Sequence, residues 1–342
     1  MDEPHTMSEI GVVIIGRNEG ERLVQCLHSV GPAGAKVVAI VYVDSGSTDG
    51  SVAAAIGAGA RIVELDMAQP FTAARARNAG RARLPQCDYI QFIDGDCMLQ
   101  PGWLAQAGAA LDGDAGLAAV FGRRREIAPL ASVYNWLCDI EWAVPPGPAR
   151  YFGGDVMIRA TALDEAGGYP DEMIAGEEPD LAMRLRRRDW RLLCLPGEMT
   201  LHDAAIHRFG QFWRRAKRSG HAYAELAARH GGGAYDDYRR RLRGVLFWAL
   251  VPVVGLVSLA LGGVLAERWL VIGGAALLLL PVLQLLRLTA KGRRSRKLGE
   301  AFAIAVFQVL TKPAQALGIG RYWLGRWGGK RSALIEYKRT AA

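Results

Sequence analysis

The sequence predicts an α/β domain built on a mostly parallel sheet with flanking helices, followed by a C-terminal helical membrane region. Three observations carry that expectation. Short apolar runs alternate with stretches of helical spacing between residues 10 and 111. Two long uncharged stretches follow in the last third of the chain. Charge also divides the 342 residues: 1–236 hold 24 Lys+Arg against 30 Asp+Glu, a net of −6, and 237–342 hold 18 against 4, a net of +14. The overall charge of +8 therefore belongs to the second part, and a nucleic-acid partner loses its support. With 51% hydrophobic and 22% charged residues, the chain is not a disordered or low-complexity protein.

The elements follow in order. Ile10 to Ile15 (IGVVII) is apolar and β-branched, as a strand buried on both faces requires. From Glu19 to Val30, Leu23, Leu27 and Val30 recur at helical spacing. Val37 to Val43 reads as a second strand, and Ser47 as the cap of a helix over Thr48 to Ala58. Arg61 to Leu65 is a third strand, Phe71 to Leu84 a helix, and Tyr89 to Ile93 a fourth strand. Pro101 to Leu111 reads as a helix with proline near its first turn. Such alternation implies a sheet covered on both faces, with ligands at the carboxyl ends of its strands.

Three of those ends carry polar chemistry. The first strand ends in Gly16-Arg17-Asn18-Glu19, the second in Asp44-Ser45-Gly46-Ser47-Thr48-Asp49-Gly50, the fourth in Asp94-Gly95-Asp96. Any one of them is an ordinary turn composition. All three facing one crevice would crowd carboxylates, which is costly unless a cation or ribose hydroxyls share the site. Between them, Arg75 and Arg77 have two readings, fixed charge for a pyrophosphate or a solvated basic helix face. The chain has no P-loop, no strand-following G-x-G-x-x-G and no G-x-S-x-G, which removes the usual support for an ATPase, a dehydrogenase or a hydrolase.

In order, the Asn18-Glu19 strand end, the VDSGSTDGS segment, the ARNAG segment and Asp94-Gly95-Asp96 resemble the family 2 glycosyltransferases. Phe152-Gly153-Gly154-Asp155 and the run Gly176-Glu177-Glu178-Pro179-Asp180 continue the match, so that it spans about residues 10 to 230. The resemblance implies a GT-A fold, a nucleotide-sugar donor, a divalent metal (Mg²⁺ or Mn²⁺) and usually inversion at the anomeric carbon. It places Arg17, Glu19 and Asp44 around the donor base and ribose, with Arg75 and Arg77 also on the donor side. It makes Asp94 and Asp96 the D-x-D pair, Asp96 the better metal ligand. His202 resembles the late histidine that completes metal coordination in some relatives. Gly153, Gly154, Asp155 and Asp180 fall on the acceptor side. The family places Glu-Asp at the base position, the Asp acting as base; here Glu178 stands there with one extra methylene. Glu177, Glu178 and Asp180 thus all remain candidates for the base.

The tail reads as membrane-embedded. Gly244 to Ala266 holds 23 residues without formal charge and Trp269 to Leu286 holds 18, long enough as helices to span a hydrocarbon core of roughly 30 Å. Arg239, Arg240, Arg241 and Arg243 precede the pair, and Arg287, Lys291, Arg293, Arg294, Arg296 and Lys297 follow it. Positive residues on both outer flanks predict a hairpin over about 244–266 and 269–288 with both ends cytoplasmic. A shorter apolar piece within about 298–319 reads as re-entrant or interfacial, ahead of a basic tail containing Arg321, Arg326, Lys330, Arg331, Lys338 and Arg339. Arg208 to Leu226 places Phe209, Phe212, Trp213 and Ala216 on one helix face, read as an interfacial helix or as a helix packed on the head. These features divide the chain into a catalytic head, 1–236, and a membrane region, 237–342.

The opening MDEPHTMSEI is acidic and polar, unlike a signal peptide, and Cys26, Cys87, Cys97, Cys138 and Cys194 form no C-x-x-C pair. Both features predict a cytoplasmic head. The sequence thus predicts a membrane-attached inverting glycosyltransferase acting on a hydroxyl of a lipid-linked or envelope glycan, with membrane lipids as further partners. A polyprenyl-phosphate glycosyltransferase is the runner-up. A non-catalytic nucleotide-sugar binding module and a nucleotidyltransferase are rivals of other classes.

Overall fold

The computed structural model describes residues 7–31, 34–231, 237–329 and 335. Lys330, Arg331, Lys338 and Arg339 of the expected basic tail, and residues 1–6 of the N-terminal segment, lie outside the described residues. Contacts divide the chain into two units, Met1–His207 and Arg208–Ala342.

The first unit begins with β1 (Glu9–Gly16), α1 (Glu21–Ser29), β2 (Lys36–Asp44), α2 (Ser51–Gly57), β3 (Arg61–Glu64), α3 (Ala73–Arg83) and β4 (Tyr89–Asp94). It continues with β5 (Cys97–Leu99), α4 (Trp103–Asp112), β6 (Leu117–Glu126), α5 (Val133–Glu141) and β7 (Gly147–Pro148). Last come β8 (Val156–Arg159), α6 (Ala160–Glu165), α7 (Glu177–Arg186) and β9 (Arg191–His202). The strands form one sheet in the order β3-β2-β1-β4-β8-β6-β9-β5, with β7 on β9. Pairing directions make β1, β2, β3, β4, β6 and β9 run one way, so the sheet is mostly parallel.

Six consecutive residues of β1 are buried, as expected for a strand covered on both faces. Helix α3 comes down on it so closely that a Cβ at Gly80 would lie 2.3 Å from Val13 Cγ1. Thr72 caps α3 by accepting from the Arg75 amide at 3.0 Å. The cap expected at Ser47 is absent, because Asp44 Oδ2 captures the Ser47 and Gly46 amides; α2 starts four residues later, with Gly50 as its N-cap.

Register sets the site. Gly16, at the end of β1, pairs with Asp44, and the preceding Ile15 pairs with Asp94, so the two aspartates flank the end of one strand. This is where strand order reverses, since β2 lies on one side of β1 and β4 on the other. Farther along, β5 lies antiparallel to β9, Cys97 opposite His202.

The second unit contains α8 (Phe209–His230), α9 (Asp237–Val264), α10 (Arg268–Gly292) and α11 (Leu298–Trp327). The last three are long and apolar enough to cross a membrane. Helices α9 and α10 approach through small residues: a Cβ on Gly274 would lie 2.8 Å from the Gly255 carbonyl oxygen. The short apolar piece expected within 298–319 is part of one 30-residue helix, which continues through Lys312 and Pro313. The apolar face of α8 was read as facing either a bilayer or the head. Part of it packs on α11, where Phe212 meets Phe307 at 5.2 Å and a Cβ on Gly220 or Gly318 would strike the facing backbone at 2.0 Å, while Phe209 stays 46% exposed.

Candidate active site

The loops after β1 and β2 are tied to each other. The Asn18 amide donates to Ser47 Oγ at 2.9 Å, and Asn18 Oδ1 accepts from the Thr48 amide at 2.7 Å, with Asn18 held at a φ of 54°. Asp44 is buried, one oxygen taken by the Tyr42 hydroxyl and the other by the two turn amides. Burial and the Asp44 charge push the Tyr42 hydroxyl up, so it remains a donor. Glu19 pairs with Arg22 at 2.8 Å, and Arg22 also reaches Asp203 at 3.4 Å, next to the end of β9. Arg17 lies half-buried in the same loop.

In the structure both arginines make contacts within the protein. Arg75 donates to the carbonyls of Pro70 and Asp66, bracing the loop ahead of α3. Arg77 is only 2% exposed. Its guanidinium lies 3.1 Å from Asp94 Oδ1, 3.1 Å from Glu177 Oε1 and 3.3 Å from Glu178 Oε1, with the Tyr169 ring 5.4 Å away. One buried cation thus joins the first D-x-D aspartate to both glutamates at the head of α7. The carboxylates hold the guanidinium charged against the opposing effect of burial.

Glu177 and Glu178 start α7 after Gly176, whose φ of 90° favours glycine. Glu177 Oε2 is buried without a hydrogen-bond partner among the described residues. Glu178 is more open, its side chain 17% exposed. Burial first, and then the neighbouring Glu177 charge, push its carboxyl up to about 7 against the pull of Arg77. That is the range a proton acceptor needs at neutral pH. Asp180 is buried and accepts from Arg184 at 2.7 Å, one turn along α7.

Asp155 is buried beside the end of the D-x-D strand, and its carboxylate lies with that of Asp94 and the Cys97 sulfur in a second group whose ligand atoms are within 4.8 Å of one another. Its oxygens accept from the Asp94 amide at 3.1 Å and the Thr200 hydroxyl at 2.9 Å, and Arg124 lies at 2.8 Å. A Cβ on Gly154 would lie 2.6 Å from the Arg77 guanidinium, so only glycine fits there, whereas Gly153 faces open space.

Asp96 and His202 are nearly buried, with Oδ1 and Nε2 3.5 Å apart. Together with the Cys97 sulfur, their ligand atoms lie within 4.8 Å of one another. Burial pushes the Cys97 thiol well up, and its soft sulfur suits a hard cation less well than the Asp96 carboxylate does. Asp96 and His202 fit Mn²⁺ or Mg²⁺, whose remaining positions phosphate oxygens commonly fill. Sequence reasoning missed Trp142, which sets its ring edge-on to His202 at 4.6 Å and faces the Arg124 guanidinium at 5.5 Å. No motif marks it; only the fold brings it there. A separate cavity of about 460 Å³ at the amino ends of β1 and β4 contains none of the expected site residues. Ser8 and Tyr89 there both donate to Asp112 at 2.6 Å.

Residues 11–147 match the protein family described as Glycosyl transferase family 2. The structure is similar to that of the mannosyltransferase PcManGT from Pyrobaculum calidifontis, solved in complex with GDP-Man and Mn²⁺. The TM-score is 0.58 and the identity 18%, over 94% of this chain and 88% of that one. It is also similar to a mycobacterial protein, with a TM-score of 0.50 and 19% identity over 66% and 76% of the two chains. A TPR repeat-containing protein of Synechococcus elongatus is 34% identical over 90 residues, which are 26% of this chain and 21% of that protein. The chain thus spans about a fifth of that curated relative's length. The fold is of the GT-A type, followed by helices long and apolar enough to span a membrane.

Proposed function

We propose that the protein is a membrane-attached, metal-dependent inverting glycosyltransferase. It moves a sugar from a nucleoside diphosphate donor to a hydroxyl of a lipid-linked or cell-envelope glycan. The observation that carries this reading is Arg77, which fixes Asp94 of the D-x-D pair beside Glu177 and Glu178. Donor-side and base-side groups are thereby held in one piece, as a direct displacement at a sugar carbon requires.

In this reading the loops ending β1 and β2, with Arg17, Glu19 and Asp44, receive the nucleoside, Asp44 by shaping its turn. Asp96 and His202, with Asp94 adjoining, would hold Mg²⁺ or Mn²⁺, which supplies positive charge for the departing diphosphate. Glu178 takes the proton of the acceptor hydroxyl, whose oxygen bonds to the anomeric carbon as the bond to the diphosphate oxygen breaks. A single displacement inverts that carbon. Burial and Glu177 raise the basicity of Glu178 against the pull of Arg77, and Gly153 leaves room for the acceptor. A base near neutrality favours a hydroxyl over a phosphate acceptor, which is already anionic and needs none.

The head, 1–236 as read from sequence, is assigned to the cytoplasm and the region 237–342 to the membrane, on the basic flanks of α9 and α10. The GDP-Man and Mn²⁺ of the Pyrobaculum structure are the first donor and metal to try. The test is a panel of UDP-, GDP- and dTDP-sugars with a hydroxylated lipid-linked glycan, the product anomer read by NMR. Nucleoside diphosphate release with an inverted product supports the reading. Pyrophosphate release, or retention of configuration, contradicts it.

A further inference from the structure

We propose that Ile127, Leu130 and Val133 form a rigid apolar lip beside the candidate active site, and that this lip rests in the surface of a phospholipid bilayer. The proposal relies on the membrane reading of α9 and α10 and adds a second, independent membrane contact, made by the catalytic unit itself.

Exposure supplies the first observation. Leu130 is 94% exposed, Ile127 46% and Val133 39%, so one short stretch of chain presents three large apolar side chains to water. Scattered exposed apolar residues are ordinary, whereas a cluster marks a contact surface.

The region is also pinned. Buried Glu126 accepts from the Ala128 amide at 3.2 Å, from the Asn135 side chain at 3.1 Å and from the Ala204 amide at 2.9 Å. The Ile127 amide donates to the His202 carbonyl at 3.0 Å. Leu130 is therefore presented on a fastened turn at the site's edge, next to the strand end that carries His202.

The occupant follows from where that turn is tied. Ser132 Oγ donates to the Ile206 carbonyl at 2.5 Å, and the Ile206 amide donates to Asn135 Oδ1 at 3.0 Å. Ile206 is the penultimate residue of the first unit, so the lip is anchored where the chain leaves the head for the unit with the long apolar helices. An apolar surface at that exit, in a chain tethered to a bilayer, suits lipid better than a soluble partner. Arg125 is held by both Asp139 and Glu198, but Arg123, near the end of β6, is 39% exposed with a long 3.6 Å ion pair to Asp139, and it complements an anionic headgroup. A lip in this position would set the site opening at the depth of a lipid-linked acceptor's head.

Depth-dependent fluorescence tests this. All five native cysteines are buried, so an added surface cysteine labels selectively. Leu130→Cys, Ile56→Cys on the exposed face of α2 and Leu279→Cys on α10 are each labelled with NBD in the full chain. The proteins are then reconstituted into vesicles of phosphatidylcholine and phosphatidylglycerol carrying nitroxide-labelled lipid. The expected result is blue-shifted emission and strong quenching at 130 and 279, with neither at 56. Quenching at 279 while 130 behaves like 56 overturns the lip alone. No quenching at 279 overturns the membrane reading, and the lip with it.

Discussion

Arg77 Nη1 lies 3.1 Å from Glu177 Oε1, a bond between residues 100 positions apart that closes the head of α7 onto α3. The same guanidinium reaches Asp94, so a single side chain sets the spacing of that aspartate from the two glutamates. Its removal leaves buried carboxylates without their cation.

Arg77→Met is therefore expected to destabilise the protein by about 3–5 kcal/mol at neutral pH. The sign of its pH dependence follows. Without Arg77 the folded-state carboxyls titrate higher than in the unfolded chain, so the variant regains stability as they protonate and loses it as pH rises. Thermal melting at pH 5 and pH 8 should show a smaller deficit at pH 5. Arg77→Lys should recover only part of the loss, since an ammonium lacks the forked geometry.

Glu178→Gln is expected to lower transfer by about 10²–10⁴-fold while donor binding persists. In the native protein burial and Glu177 raise the Glu178 carboxyl to about 7, and the ionised form is the base. kcat/KM should therefore climb as pH rises through about 7 and level off above it. A flat profile across that range, or full activity in Glu178→Gln, would remove the residue from this role.

His202→Ala should weaken the apparent affinity for Mn²⁺. Loss of even an outer partner of a metal ligand costs about 10–100-fold, and loss of a direct ligand should cost at least as much. Metal titration of turnover, or of Mn²⁺-dependent thermal stabilisation, reads this directly. Trp142→Leu, which removes the ring against His202, should produce a weaker shift in the same direction.

Gly80→Ala is expected to destabilise by about 1–3 kcal/mol, because its methyl would meet Val13 Cγ1 at 2.3 Å. Val13→Ala in the same chain removes that methyl and should recover part of the loss. Urea denaturation of the single and double variants measures the coupling.

Local chemistry was legible and long-range pairing was not. The turns after β1, β2 and β4 were readable because Asn18, Asp44 and Asp94 act where their strands end. Arg77 was ambiguous, since its partners at 94, 177 and 178 are brought to it only by the packing of α7. Ser47 misled as a helix cap because Asp44, three residues earlier, captures its amide. The apolar face of α8 was visible at helical spacing, but its partner on α11 depends on Gly220 and Gly318, whose absent side chains let the two backbones meet. Trp142 and Leu130 carry no motif, and only the fold shows one set against His202 and the other in water.

The central claim is a metal-assisted transfer from a nucleotide sugar, and Asp96 is where it is most exposed to test. The measurement is nucleoside diphosphate release by the detergent-solubilised full chain, with GDP-mannose and UDP-glucose, in the presence of Mn²⁺ and then of EDTA. The account predicts release that needs the metal and vanishes in Asp96→Ala while that variant still melts cooperatively. Release that survives EDTA, or equals the native rate in a folded Asp96→Ala, would contradict it.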